Sequence, residues 1–343
     1  MQPYLSVIIP CRNEVRFLSA CLDSVLAAGY PSQRLEVLVA DGMSTDGTRE
    51  VLANYTRRHP HVRSIDNPSS LTPAALNRAV EAARGEIIVR LDAHATIAPD
   101  YLERAVEHLE HDGADNVGGV MRTVAGGRGP FAEPIRLALA HPFGVGNSHF
   151  RTAASSPAAA PRWVDTVFGG CWRRDVFRRV GQFNEKLERG QDLEFNLRLA
   201  RAGGKILLAP DMHSYYYARA TLASFCRHNW TNGVWAILPF AYSAVMPVLW
   251  RHLVPLAFVA SLLASLLCAL LFPQDLPWLP AVAAAPYLAA NLAVSLTEAA
   301  RHGDAKLAAL LPVTFASLHL AYGAGSLWGL GKLAAITVRR RRL

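Results

Sequence analysis

Charge is scarce in this chain. Asp, Glu, Lys and Arg make up 18% of its 343 residues, below the ~25% usual for soluble globular proteins. Hydrophobic residues reach 51%, so there is ample material for a core and intrinsic disorder is excluded. The five cysteines include no Cys-x-x-Cys pair, which excludes a disulfide scaffold and suggests neither a zinc knuckle nor a redox pair. No Gly-x-Gly-x-x-Gly turn follows the first apolar strand, and no Gly-x-x-x-x-Gly-Lys-Ser/Thr loop occurs. A nicotinamide dehydrogenase and a P-loop NTPase are therefore disfavoured. The pattern of a cleavable leader is missing as well. Residues 1–9 are one short apolar run followed at once by Pro10-Cys11-Arg12-Asn13-Glu14, so the soluble part is expected on the cytoplasmic side.

What is present is unevenly spread. Residues 233–343 contain 8 basic and 3 acidic residues, against 27 and 24 in the first 232. The net charge of +8 is thus concentrated near the C-terminus, and the near balance elsewhere argues against nucleic acid as a partner. Leu253–Phe272 is a run of 20 uncharged residues, Leu276–Thr297 one of 22, and Leu307–Gly331 one of 25 in which His319 is the one residue that could carry charge near neutral pH. Crossing a bilayer core takes ~20 apolar residues. A fourth run, Val234–Trp250, has 17 residues with Pro239 and Pro247 inside it, and reads as lying at the membrane interface. Trp230, Trp235 and Trp250 suit the headgroup level. The chain is thus expected to comprise a soluble domain over 1–232, an interfacial segment over 233–252, and a membrane module with a basic tail over 253–343. Three crossings from a cytoplasmic start would strand Arg339–Arg342 outside, against the positive-inside bias. A fourth would come from the 234–250 run, or from the last run breaking at Pro312 or its glycines and turning back. The count stays at three or four.

The soluble part alternates strands and helices. Leu5–Ile9, Leu35–Ala40, Val62–Ile65, Ile87–Leu91 and Val117–Met121 read as strands. Helices are predicted over 15–27, 46–58, 73–84 and 99–109, with a later one from about Gln191 to Ala202. This order predicts an α/β fold, a mostly parallel sheet with helices on both faces. In such sheets ligands bind outside the carboxyl ends of the strands. Arg12-Asn13-Glu14, Asp41 and Asp92-Ala93-His94 all fall at those ends.

Carboxylates there can hydrogen-bond a nucleobase and ribose or hold a metal that neutralises a pyrophosphate. Asp92 and His94, two apart at a strand end, can reach one ion, and a carboxylate with an imidazole suits Mn²⁺ better than Ca²⁺. The same pair also reads as a capping aspartate beside a surface histidine. Asp192 opens a helix, where it serves either as a cap or as a general base for an attacking hydroxyl. Glu194, two residues on, points elsewhere. Gly169 and Gly170 permit close approach of a substrate, and Trp172 offers a face to a sugar ring. Arg219 and Arg227 suit a lipid pyrophosphate, since guanidinium pairs bidentately with phosphate oxygens.

These residues in this order resemble family 2 glycosyltransferases of the GT-A fold. The resemblance rests on Ser6–Pro10 with Asn13-Glu14, Asp41–Thr48, Asn77, Gly85, Arg90–His94, Gly169–Arg174, Val180–Glu185 and Gln191-Asp192. With Pro142–Asn147 and His319–Gly323 added, the whole chain resembles in particular the succinoglycan-biosynthesis glucosyltransferases of bacterial exopolysaccharide pathways. The resemblance implies inverting transfer from a nucleotide sugar, UDP-glucose or a similar UDP-hexose, to a polyprenyl-pyrophosphate-linked sugar at the bacterial inner membrane. It implies Pro10, Arg12, Asn13, Glu14, Asp41, Ser44, Asp46, Asn77, Arg90 and Asp92 as nucleotide-sugar contacts. It further implies Mn²⁺ or Mg²⁺ on Asp92 and His94, Asp192 as base, and Gly169, Gly170, Trp172, Gln191, Arg219, Arg227 and Trp230 toward the acceptor. Two departures stand out: His94 ends what is usually Asp-x-Asp, and Gln191 replaces a usual Glu beside the base. The Gln-x-x-Arg-Trp of processive synthases is absent, which argues against a chain-extruding synthase; a polyprenyl-phosphate glycosyltransferase and a processive synthase stand as rival readings.

Overall fold

The computed structural model describes residues 2–153 and 160–341. The chain begins β1 (Leu5–Cys11), α1 (Leu18–Leu26), β2 (Leu35–Asp41), α2 (Thr48–Arg58), β3 (Val62–Asp66), α3 (Thr72–Ala82) and β4 (Ile87–Arg90). It continues β5 (Ala95–Ile97), α4 (Tyr101–His111), β6 (Asn116–Val124), α5 (Ala132–Ala140), α6 (Pro142–Val145), α7 (His149–Thr152) and β7 (Arg162–Trp163). Next come β8 (Cys171–Arg173), α8 (Asp175–Val180), α9 (Gln191–Arg201), β9 (Ile206–Tyr217), α10 (Leu222–Ile237) and α11 (Pro239–Tyr242). The chain ends with α12 (Trp250–Leu271), α13 (Leu279–His302) and α14 (Ala305–Arg341). Two compact units result, one of residues 1–122 with 149–217, the other of 123–148 with 218–343.

The first unit is built on one sheet in the order β3-β2-β1-β4-β8-β6-β9-β5, with β7 beside β9. Strands β3, β2, β1 and β4 run parallel. The expected α/β class holds, but the parallel part ends at β4: β8 pairs antiparallel to both β4 and β6, and β5 and β7 run antiparallel to β9. The sheet is therefore mixed. Strand β1 is buried along nearly its whole length because both faces are covered. Val7 and Ile9 join one core with Leu22, Val37 and Val89. Ile8 joins the opposite core with Leu38, Leu76 and Ile88, as the period of two requires.

Helix α1 begins three residues later than its apolar pattern predicts. Asn13 adopts a left-handed φ of 56°, and the amides of the turn find partners on the β2–α2 loop instead of in a helix. Asn13 N donates to Ser44 Oγ (2.8 Å), Glu14 N to Thr48 Oγ1 (2.9 Å) and Val15 N to Asp46 Oδ2 (3.2 Å). The loops at the ends of β1 and β2 are thus tied into one polar frame.

In the second unit three helices, α12, α13 and α14, are long and apolar enough to cross a membrane. Val234–Trp250 does not form one helix: α10 ends at Ile237 and α11 covers only Pro239–Tyr242. Nor does the last run turn back. Helix α14 is continuous from Ala305 to Arg341, and Arg342 lies outside the described residues. Gly323, Gly325 and Gly329 are contact points rather than breaks. A Cβ on Gly325 would collide with the Trp230 carbonyl, one on Gly323 with the Pro255 carbonyl, and one on Gly233 of α10 with the Tyr322 carbonyl. Small residues let helix backbones approach this closely, and Ser326 Oγ reaches Gly233 O at 3.2 Å across the same seam. Tyr287 and His319 are hydrogen-bonded at 2.9 Å, and His319 Nε2 donates to Phe143 O at 3.0 Å.

Two glycines of α14 provide a controlled comparison. Gly325→Ala must push α10 and α14 apart and is expected to cost ~1–3 kcal/mol, as overpacking does. Gly331 has open space where its Cβ would go, so Gly331→Ala is expected to be neutral or to stabilise by up to ~1 kcal/mol through helix propensity. Thermal unfolding of the detergent-solubilised chain measures both. Equal effects of the two would refute the contact role of Gly325.

Candidate active site

The carboxyl ends of β1, β2 and β4 converge on one polar cluster. At the end of β2, Asp41 is buried. It accepts from Ser44 Oγ (2.5 Å) and Ser44 N (3.1 Å) and pairs with Arg49 Nη1 at 3.1 Å. Arg49 reaches on to Asp66 at 3.0 Å. Beside them is a hollow of about 380 Å³ whose lining includes Asp41, Arg49, Ser64 and Asp66. Asp46 accepts from Thr48 Oγ1 at 2.6 Å, and this bond is the first cause of a carboxyl pKa below its ordinary value, ahead of an opposing desolvation and further backbone donors. Arg12 is exposed, with its aliphatic stem over Gly42 and Nη1 at 3.4 Å from Ser70 O. Pro10 pairs with Ala40 in the β1–β2 register.

The end of β4 carries the chemistry-bearing groups. Arg90, only 4% exposed, donates from Nη2 and Nε to Asp92 Oδ1 at 3.0 and 3.3 Å. Its Nη1 forms an ion pair with Asp192 Oδ1. One guanidinium therefore joins the strand-end carboxylate to the first turn of α9. Burial opposes the charge on Asp92, but Arg90 and His94 beside it hold its carboxyl below the usual range. Asp192 stays 32% exposed. Glu194 is engaged elsewhere, gripping Arg198 at 3.0 and 2.9 Å on its own helix.

His94 Nδ1 lies 3.0 Å from Glu14 Oε1, and the imidazole meets the Tyr216 ring edge-on at 5.2 Å. A carboxylate on one ring nitrogen fixes the tautomer and turns the other toward a ligand, the arrangement common around metal-bound histidines. Asp92 Oδ2 and His94 Nε2 would be the donors to a divalent cation. Among the described residues no group of three or more His, Cys, Asp or Glu could hold a metal. The pair fits a cation that takes its remaining ligands from phosphate oxygens and water, as Mg²⁺ and Mn²⁺ sites on nucleotides do.

Several residues expected at the site have other duties. Trp172 is 1% exposed and packed edge-on against Phe177, Phe183 and Phe195 at 5.7–6.1 Å. The space around its ring is filled by these side chains, so it has no face to offer a sugar. Gly169 and Gly170 are needed for the protein's own backbone: a Cβ on the first would strike the Arg90 carbonyl, and one on the second the Trp172 ring. Both have positive φ, 68° and 113°. Asn77 is saturated, donating to Phe183 O and Glu185 Oε1 and accepting from Phe183 N, each at 2.9 Å. It ties α3 to the 183–185 turn rather than facing a nucleotide. Gln191 is buried at the start of α9. Arg219, Arg227 and Trp230 belong to the other compact unit. Sequence reading missed Arg49, Tyr216 and Arg151; none stands in a spaced motif, and only the fold brings them to the cluster or its edge.

With this geometry in hand, comparison with known proteins is informative. The family model described as Glycosyl transferase family 2 matches residues 6–181. The succinoglycan biosynthesis protein ExoA of Rhizobium meliloti is 32% identical over 323 residues, 93% of this chain and 92% of that protein. A Methanococcus voltae transferase named for dolichyl N-acetyl-α-D-glucosaminyl phosphate is 26% identical over 276 residues, 78% of this chain and 83% of that protein. Among solved structures, the mannosyltransferase PcManGT from Pyrobaculum calidifontis, in complex with GDP-Man and Mn²⁺, has the same fold, with a TM-score of 0.57. It is 24% identical, covering 96% of this chain and 88% of that one.

The bridge makes a prediction independent of turnover. Arg90→Met leaves Asp92 and Asp192 without their shared cation and is expected to cost on the order of 3 kcal/mol in denaturant unfolding. Adding Asp192→Asn should recover part of that loss, because coupled groups are non-additive. Additive losses would show that the pair is not coupled.

Proposed function

The chain belongs to glycosyltransferase family 2, and on that premise we propose that it is an inverting, membrane-anchored enzyme of exopolysaccharide or related glycan synthesis. It moves a sugar from a UDP-hexose to a sugar carried by a polyprenyl pyrophosphate. The observation that supports this most is the Arg90 guanidinium, joined to Asp92 on one side and Asp192 on the other. A donor-side carboxylate and a base carboxylate held in register by one cation suit a direct displacement.

In the reaction, Asp192 takes the proton of an acceptor hydroxyl as its oxygen attacks the anomeric carbon from the face opposite the diphosphate. The carbon–oxygen bond to the diphosphate breaks, and the electron pair leaves with UDP. Asp92 and His94 would hold the divalent cation, which supplies charge neutralisation at the leaving diphosphate. Glu14 keeps the His94 ring in place. The hollow beside Asp41 suits a nucleobase and ribose, whose donors the strand-end carboxylates accept. The name of the Methanococcus voltae relative favours a lipid monophosphate as carrier in a second reading.

We read the first unit as cytoplasmic, at the bacterial plasma membrane. Arg301, Lys306 and Lys332 with the basic tail agree with that side by the positive-inside bias. Arg340 donates to Ala241 O at 2.8 Å and lies over the Tyr242 ring, just before the start of α12. This contact supports two crossings, by α12 and α13, in place of the three or four expected, with the continuous α14 staying on the side where α13 ends. Topology reporters fused at the N-terminus and at residue 343 should then report the same side; opposite sides would refute this reading.

General-base help is typically worth ~10²–10⁴-fold. Asp192→Asn should lose that much in transfer rate while binding UDP as the wild type does. The assay incubates the enzyme with UDP-hexoses and lipid extract and reads glycolipid mass. A product longer by several sugars would favour a synthase, and wild-type turnover in Asp192→Asn would remove the base from the mechanism.

A further inference from the structure

One arginine of the first unit has a guanidinium nitrogen with no hydrogen-bond partner among the described residues. Arg151 sits on the short helix α7, and its Nη1 is buried with no hydrogen-bond partner. Its guanidinium carbon lies 5.6 Å from the Phe150 ring centroid and 5.4 Å from that of Tyr216. Phe150 stacks on Phe168 at 6.4 Å, and Phe168 meets Tyr216 at 6.2 Å. The cation therefore rests on an aromatic platform. Ring faces attract it but satisfy none of its N–H donors.

The platform borders the candidate site. Tyr216 pairs with Ala95 in the β5–β9 register, and its ring is the one that His94 meets edge-on at 5.2 Å. Arg151 and His94 thus share a single aromatic neighbour. A buried N–H donor left unmatched is costly, and desolvation pushes the Arg151 pKa below the ordinary arginine value. Such a cost is offset when an anion arrives. A guanidinium stacked on aromatic rings is pre-organised for two-pronged contact with phosphate oxygens.

We propose that Arg151 binds a phosphate group of a substrate, beside the Asp92–His94 pair across the Tyr216 ring. The identification of that substrate as phosphate-bearing rests on the reaction proposed above. The phosphate comes either from the donor's diphosphate or from the acceptor's lipid phosphate. Arg151 joins Arg219 and Arg227 as a candidate for this duty, on the ground of its unmatched buried Nη1.

The test uses the full chain in detergent and three probes: UDP with Mn²⁺, inorganic pyrophosphate, and vesicles with and without a polyprenyl phosphate. Arg151→Gln is expected to weaken at least one of them tenfold or more, and Arg151→Lys, which keeps charge but not the planar fork, by less. Loss confined to UDP assigns the donor, and loss confined to the lipid phosphate assigns the acceptor. Loss of the ring contacts is set against relief of the unmatched Nη1, so the thermal midpoint of Arg151→Gln should change little. Binding of all three probes within twofold of wild type, with or without a lower midpoint, overturns the proposal and leaves Arg151 a packing residue. If Arg151→Gln fails to fold, Arg151→Lys decides: weakened pyrophosphate binding supports the site and unchanged binding overturns it. A chain that loses phosphate binding in the variant but transfers no sugar as wild type keeps the site and loses the reaction.

Discussion

The site depends on a single buried cation. Arg90 is the last residue of β4, inside the sheet, where a guanidinium is tolerated only if its donors are matched. Its charge is met by two carboxylates a hundred residues apart in sequence, Asp92 and Asp192. This requirement draws the start of α9 to the end of β4 and orients Asp92, whose free oxygen is thereby left for another ligand. The glycines at 169 and 170 serve the same arrangement, since they allow the chain entering β8 to lie against the Arg90 backbone. Position 90 thus links strand order, helix placement and the polarity of the site.

A second polar frame supports the first. The turn after β1 uses its amides on side chains of the loop after β2, so Glu14 is presented from a rigid bend. From there it reaches His94. The imidazole in place of a second aspartate removes one negative charge, and the Glu14 contact returns a carboxylate one step further from any bound cation. The departure from the usual family motif and its compensation can both be seen in one hydrogen bond.

Much of this was legible in the sequence. The first four strands and the helices between them follow from apolar runs of the right period, with Asp41 and Asp92 at their ends. Strand order beyond β4 was not legible, because β8 is three residues long and pairs with neighbours distant in sequence. Trp172 illustrates a different limit. A tryptophan after two glycines fits a sugar platform and an aromatic core equally well, and only Phe177, Phe183 and Phe195 closing around it decide. Arg151 lies in a stretch without periodicity, so its stacking is a property of the fold alone. The glycines of α14 read as a break because composition does not reveal the helix that presses against them.

That last contact bears on how the protein can be handled. Helix α10 hides Phe225, Asn229, Gly233 and Val234, and it shares its closest seam with α14, the final helix of the chain. Cutting the chain ahead of its long apolar helices would therefore uncover a groove shaped for a backbone rather than yield a clean soluble enzyme. The long apolar helices are also a structural cover for the helix that precedes them, and the two must be made, extracted and purified together.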